Sequence, residues 1–248
     1  MGVDPRHVEF EACFNFRDLG GYETVDGRTV AWGHVYRSDM FHRMTEADRG
    51  RLHELGLRTV VDLRSTAELG RYGRFDHHEV DFHHHPLFEE ETTRLPPLPG
   101  LDDPEPADPA GAYLLIAEEG AAAMAAAVRV LAERDHPAVF HCAAGKDRTG
   151  MLAALLLTAL GVPEDVVVAD YQLTDLALPR QVDWFDRFEP DTAEELRRRP
   201  AWLLASPAHV MRAFLDGLRQ RHGSPLGYLT DAGLDDDVLG GLRARLLA

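Results

Sequence analysis

The stretch HCAAGKDRTG, residues 141–150, sets a thiol, a guanidinium and a hydroxyl at short fixed intervals. Cys142 follows a short apolar run, AVFHC, and precedes a long apolar helix pattern, MLAALLLTALG. A strand–loop–helix of this kind aims the backbone N–H groups of residues 143–149 at one point, with the helix N-terminus behind it. Such a loop binds an oxyanion, phosphate above all. The phosphate-binding set is therefore Ala143, Ala144, Gly145, Lys146, Asp147, Arg148 and Thr149. The amides, the helix dipole and Arg148 favour the thiolate of Cys142, which attacks a bound phosphorus in line. Arg148 offers a planar fork for two phosphate oxygens. Gly145 allows a tight turn, and Thr149 is positioned to donate a hydroxyl to the sulfur in the second step. His141 is a supporting residue.

A nucleotide-binding GxxxxGK[ST] needs Gly at 140 and Ser or Thr at 147, but Phe140 and Asp147 stand there, so that loop is excluded. An isolated cysteine is most often a buried structural thiol; the spacing of Gly145, Arg148 and Thr149 after Cys142 favours catalysis. Lys146 is the chain's single lysine among 26 basic residues. A compact ammonium beside the arginine fork suits a multiply anionic ligand.

His141-Cys142-x-x-Gly145-x-x-Arg148-Thr149 resembles the signature of the cysteine-dependent protein-tyrosine phosphatases. NFRDLGGY (15–22), DGR (26–28), YRSD (36–39) and TVVDLRSTAE (59–68) are similar to one bacterial branch of it, described as acting on phosphotyrosine, sometimes phosphoserine/threonine and phosphoinositides. The resemblance covers nearly the whole chain. It implies a phosphocysteine enzyme without metal or other cofactor, whose partners are a phosphotyrosine protein or peptide and, in part of the branch, a phosphoinositide. It also implies a helical lid, falling at about 163–222. A lipid phosphatase on the same fold and a non-catalytic phosphate-recognition module are the alternatives.

The leaving oxygen needs a proton. Many relatives take it from an aspartate on a separate loop. Here that loop begins at HPLFEEE (85–91), with Glu89, Glu90 and Glu91; Asp102, Asp103 and Asp108 lie further on. Asp147 sits inside the phosphate loop, and the resemblance implies it as the acid or its support. Lys146 and Arg148 favour its ionised form, which a bound phosphate dianion opposes. Asp62 and Arg64 stand at the C-terminal end of a strand, the edge where α/β sheets form ligand crevices. They read either as supporting site residues or as an internal ion pair bracing the loop.

These residues must be held by a scaffold. RTVVDLRS and AVFHC read as buried parallel strands, and VDFHHHPL as a weaker one. MTEADRGRLHELGL reads as a helix with Thr45 as N-cap, Asp48 completing a capping box and Gly56 closing it. Residues 111–134 are mostly helical with a break at Gly120. A helix ends at Gly161, another starts with Pro163 in its first turn, and 179–222 continues helical with Trp184, Phe185, Phe188 and Trp202. Alternating strands and helices predict an α/β fold, a mostly parallel central sheet flanked by helices, as one domain over 1–248. Asp18-Leu19-Gly20-Gly21 supplies a turn near the start, and residues 89–110 a long acidic, proline-rich loop.

The chain carries a net charge of −16 over 248 residues. That argues against nucleic acid and against stable membrane association, both of which need a basic surface. No signal peptide or membrane span is read, and two cysteines give no disulfide framework, so the expected location is the cytoplasm; the family resemblance also allows export without a signal. Asp81, His83 and His85 share a strand face, but no firm ligand spacing joins them or His77 and His78, so no metal site is expected. Cys13 reads as core.

Overall fold

The computed structural model describes residues 4–75, 80–89, 109–198 and 204–248. Five short strands form the sheet: β1 (Arg17–Asp18), β2 (Val35–Ser38), β3 (Thr59–Asp62), β4 (Asp81–His84) and β5 (Ala138–His141). Their order is β1-β2-β5-β3-β4, with β1 antiparallel to β2 and every other pairing parallel. The alternation of side chains along a strand divides the core. Tyr36, Val60 and Val139 face Phe10, Phe16, Phe41 and Phe75 on one side. Val35, Val61 and Phe140 face the larger helical layer on the other.

The helices are α1 (Glu46–Glu54), α2 (Thr66–Tyr72), α3 (Pro109–Glu119), α4 (Ala121–Glu133), α5 (Asp147–Ala159), α6 (Glu164–Gln172), α7 (Leu178–Phe188), α8 (Pro190–Arg198), α9 (Ala208–His222), α10 (Pro225–Asp231) and α11 (Asp236–Leu246). Met151 through Leu157 of α5 are all buried or nearly so, because this helix lies between the sheet and α3, α4, α6 and α10. The capping box of α1 forms as expected, Thr45 with Asp48, and Gly56 follows the helix at φ +68. Gly120 separates α3 from α4, and Gly161 follows α5 at φ +86. Pro163 is the N-cap of α6 rather than a residue of its first turn, since α6 begins at Glu164.

Helix α2 opens on a full capping box formed by Ser65 and Glu68, a signal present in the local sequence. The stretch 163–222 is helical in almost all its described residues but is not one unit. Val210, Met211, Phe214, Leu215 and Leu218 of α9 belong to the main core, as do Val167, Val168 and Tyr171 of α6. Only α7 and α8 stand apart as a pair packed on each other. Trp202, His77 and His78 lie outside the described residues.

Candidate active site

Cys142 leaves the sheet at the C-terminal edge of its central strand, where His141 is registered between Ser38 of β2 and Asp62 of β3. Residues 142–146 bridge β5 and α5. Gly145 has φ +68, and a Cβ there would lie 2.6 Å from Ser38 O and 2.8 Å from Asp39 N, so only glycine fits. The loop carbonyls are held from outside. Met40 N donates to Ala143 O at 3.1 Å. Asn15 Nδ2 donates to Ala144 O at 3.2 Å and to Gly145 O at 3.0 Å. Gln181 Nε2 of α7 reaches Ala144 O at 3.1 Å, and Arg37 Nη2 reaches Gly145 O at 2.9 Å. In a planar trans peptide the N–H points opposite to the C=O. Three outward carbonyls therefore turn the N–H groups of Ala144, Gly145 and Lys146 inward, in front of the α5 N-terminus. Such an arrangement of N–H groups at a helix N-terminus suits an anion.

The cations of the loop each have an anion. Arg148 Nη1 and Nη2 bind Glu68 Oε2 and Oε1 at 2.5 and 2.9 Å, and the guanidinium lies over the Phe88 ring at 4.9 Å. Burial opposes the charge on Arg148, but Glu68 and the nearby Cys142 push its pKa up. Burial likewise opposes the charge on Glu68, and Arg148 reverses that, holding the carboxyl below its usual range. Lys146 is buried, with Nζ 3.5 Å from Asp147 Oδ1. Asp147 is the exposed member of the group, its side chain 41% accessible. The Tyr113 hydroxyl of α3 donates to Asp147 Oδ1 and lies 2.9 Å from the Tyr171 hydroxyl. Burial, then Asp147 and Tyr171, push the Tyr113 pKa well up, so it stays a neutral donor.

Cys142 is 2% exposed. The Thr149 hydroxyl was expected to donate to its sulfur; instead Thr149 Oγ1 is buried without a hydrogen-bond partner among the described residues. His141 Nδ1 donates to Cys142 O at 3.1 Å, and burial lowers the imidazole pKa, so the ring is neutral near pH 7. Asp62 and Arg64 form a closed pair: Arg64 Nε lies 2.9 Å from Asp62 Oδ1 and Nη2 lies 2.6 Å from Oδ2. Arg64 Nη2 also ties down Gly73 O behind α2 at 2.8 Å. Of the two readings of this pair, the brace is the one built. Among the described residues it reaches the loop through His141, whose Nε2 is 3.8 Å from Asp62 Oδ2.

Of the alternative acids, Glu89 accepts from Thr66 N and Oγ1 at the start of α2. Glu90, Glu91, Asp102, Asp103 and Asp108 lie outside the described residues. Cys13 is core: its thiol donates to Asp39 Oδ1 at 2.9 Å, and burial pushes its pKa up. Asp81 and His83 pair with each other at 2.7 Å.

The residues that grip the loop were missed by sequence reasoning as functional positions. Asn15 and Arg17 belong to NFRDLGGY, Arg37 to YRSD and Glu68 to STAE, the segments that carry the resemblance. Their signal was motif likeness alone. Tyr113, Asp170 and Gln181 carried none.

The model of the tyrosine phosphatase family matches residues 8–248. The chain belongs to the tyrosine phosphatase family. Within reach of the family, the chain is 28% identical to the triple specificity protein phosphatase PtpB of Mycobacterium tuberculosis, over 96% of this chain and 98% of that protein. It is 28% identical to a tyrosine-protein phosphatase of Nostoc commune, over 82% of this chain and 71% of that protein. Among the described residues, no helix is long and apolar enough to cross a membrane.

Proposed function

We propose that the chain hydrolyses phosphotyrosine in proteins or peptides through a phosphocysteine intermediate, with phosphoinositides as a second substrate class. The observation that carries this reading is the cysteine at the start of a loop whose Ala143, Ala144 and Gly145 carbonyls are held by groups outside it. The inward N–H groups and Arg148 take the phosphate oxygens. Of the five N–H donors of a guanidinium, Glu68 uses two, so the rest serve the ligand while Glu68 sets the plane. The Cys142 thiolate attacks phosphorus, the ester P–O bond breaks, and the leaving oxygen takes the proton of Asp147. Water then attacks the phosphocysteine, its proton goes to the Asp147 carboxylate, and the P–S bond breaks to return thiolate and phosphate. Tyr113 supports both steps, because its hydrogen bond orients the Asp147 carboxyl. Thr149 is the hydroxyl left to assist the departing sulfur. The α7–α8 pair, rather than all of 163–222, is the cover, because Gln181 bonds the loop directly.

Turnover of p-nitrophenyl phosphate with EDTA present, abolished in Cys142→Ser, is the expected result. No turnover by the wild type at any pH from mildly acidic to neutral would overturn the reading. A panel of phosphotyrosine peptide and phosphoinositide, with wild type and Lys146→Ala, ranks the substrates. A loss confined to phosphoinositide assigns Lys146 to the second anionic group and favours the lipid-phosphatase alternative.

A further inference from the structure

Arg37 is fully buried and spans two partners. Its Nη1 lies 2.5 Å from Asp170 Oδ2 on α6, and its Nη2 donates to Gly145 O. Arg17 comes to the same carboxylate, with Nε 3.0 Å from Oδ1 and Nη2 2.8 Å from Asp170 O. The Tyr22 hydroxyl donates to Oδ1 at 3.1 Å. Two guanidiniums thus share one carboxylate, and among the described residues no second carboxylate forms an ion pair with either. The cluster is buried with one more positive than negative charge, a costly arrangement unless an anion sits nearby.

The excess is directed at the phosphate loop. Arg37 and Asn15 both donate to Gly145 O, and Arg17 Nη1 bonds Asn15 Oδ1, turning the amide nitrogen of Asn15 toward the loop. Gly145 C=O is one end of the peptide whose other end is the inward N–H of Lys146. A cation on the carbonyl polarises that peptide and strengthens its N–H as a donor.

We infer that Arg37, anchored by Asp170, is a positioning residue that raises the loop's affinity for phosphate dianion and the thiolate fraction of Cys142, acting through the Gly145–Lys146 peptide. The inference rests on the phosphatase reading of that loop. Arg37 acts beside Arg148, whose charge interacts with Cys142, beside the Lys146–Asp147 pair, and beside a neutral His141. Arg17, Asp170 and Tyr22 are the groups that face Arg37 itself.

The test is the pH dependence of Cys142 alkylation by iodoacetamide, read by peptide mass to separate it from Cys13, with and without inorganic phosphate. In Arg37→Met, Asp170 keeps Arg17 and Tyr22, so the buried carboxylate is still paired. The alkylation midpoint is expected to rise, and protection by phosphate to weaken on the order of tenfold, the usual effect of one charged hydrogen bond. Arg37→Lys keeps the charge but cannot span Asp170 and Gly145 O together, and should fall between the two; it also serves if Arg37→Met does not fold. Leu242→Ala, a remote core variant, should lower stability and move neither readout. A wild-type midpoint and wild-type phosphate protection in the Arg37 variants would overturn the inference alone. Absence of phosphate protection in the wild type would overturn the loop reading and the inference together.

Discussion

Among the buried aspartate–arginine systems around the loop, the Asp62–Arg64 pair at the end of β3 and the Asp170 cluster that takes Arg37 from β2 are built differently. Asp62 and Arg64 are two residues apart and neutralise each other within one strand end; Arg64 spends a remaining donor on Gly73 O. Asp170 receives Arg17 and Arg37, which come from β1 and β2, 153 and 133 residues away in sequence. The first system is balanced and touches the loop only through His141. The second has an excess cation and holds two of the loop carbonyls, directly and through Asn15. The difference teaches that a local, balanced pair braces a turn, whereas an unbalanced long-range cluster is aimed at an anion.

The largest expected effect comes from removing each carboxylate. Asp170→Asn leaves two buried guanidiniums facing each other and should cost ~3–5 kcal/mol, read from the urea midpoint. Asp62→Asn strands only Arg64, which keeps Gly73 O, and should cost less. Equal losses would erase the distinction between the two systems.

Acid provides the next test. Burial alone would raise the Asp170 pKa, but Arg17 and Arg37 hold it at about 2. Its folded value lies below the unfolded one, so its contribution is complete above the ordinary carboxylate range and disappears as pH falls from about 4 to about 2. That contribution is roughly 2 kcal/mol. The urea midpoint of the wild type should fall through this window, and that of Asp170→Asn should fall less. Parallel curves would show that the cluster does not bind its proton as the geometry requires.

A third polar chain meets the loop from the other side, through Tyr113 and Asp147. Tyr113→Phe should slow phenyl phosphate, a poor leaving group, by about tenfold relative to 2,4-dinitrophenyl phosphate, the scale of a misplaced general acid. An equal loss on both substrates would reduce Tyr113 to packing. The smallest effect belongs to a polar contact with no path to the loop. Thr45→Ala removes the α1 cap and should cost ~1 kcal/mol by thermal melt, with phosphate inhibition as in the wild type.

Much of the site was legible because its signals are local. The β-branched and apolar runs of β3 and β5, the glycine at 145 and the register of Arg148 and Thr149 after Cys142 each constrain backbone or chemistry within a few residues. Helix α2 is legible in the same local way, in the capping box of Ser65 and Glu68. Glu68 illustrates the boundary. Its place at the third position of a cap was readable from Ser65, but its second partner, Arg148, lies 80 residues away. Thr149 marks the same boundary from the opposite side: its type and spacing suggested a bond to Cys142 that the built geometry does not make.

The sequence by itself determined the parallel sheet and the family and singled out Cys142 and its loop as the candidate site, since strand patterns, glycine turns and residue spacing are written along the chain. Only the tertiary structure decided which groups hold the loop. It joined Arg17 and Arg37 to Asp170 and Asn15 to Arg17, fixed Arg148 with Glu68, and set Lys146 against an Asp147 oriented by Tyr113. The reason is physical: a buried charge must find its partner through space, and nothing in the local pattern of VVVADYQ says that its aspartate will meet two arginines.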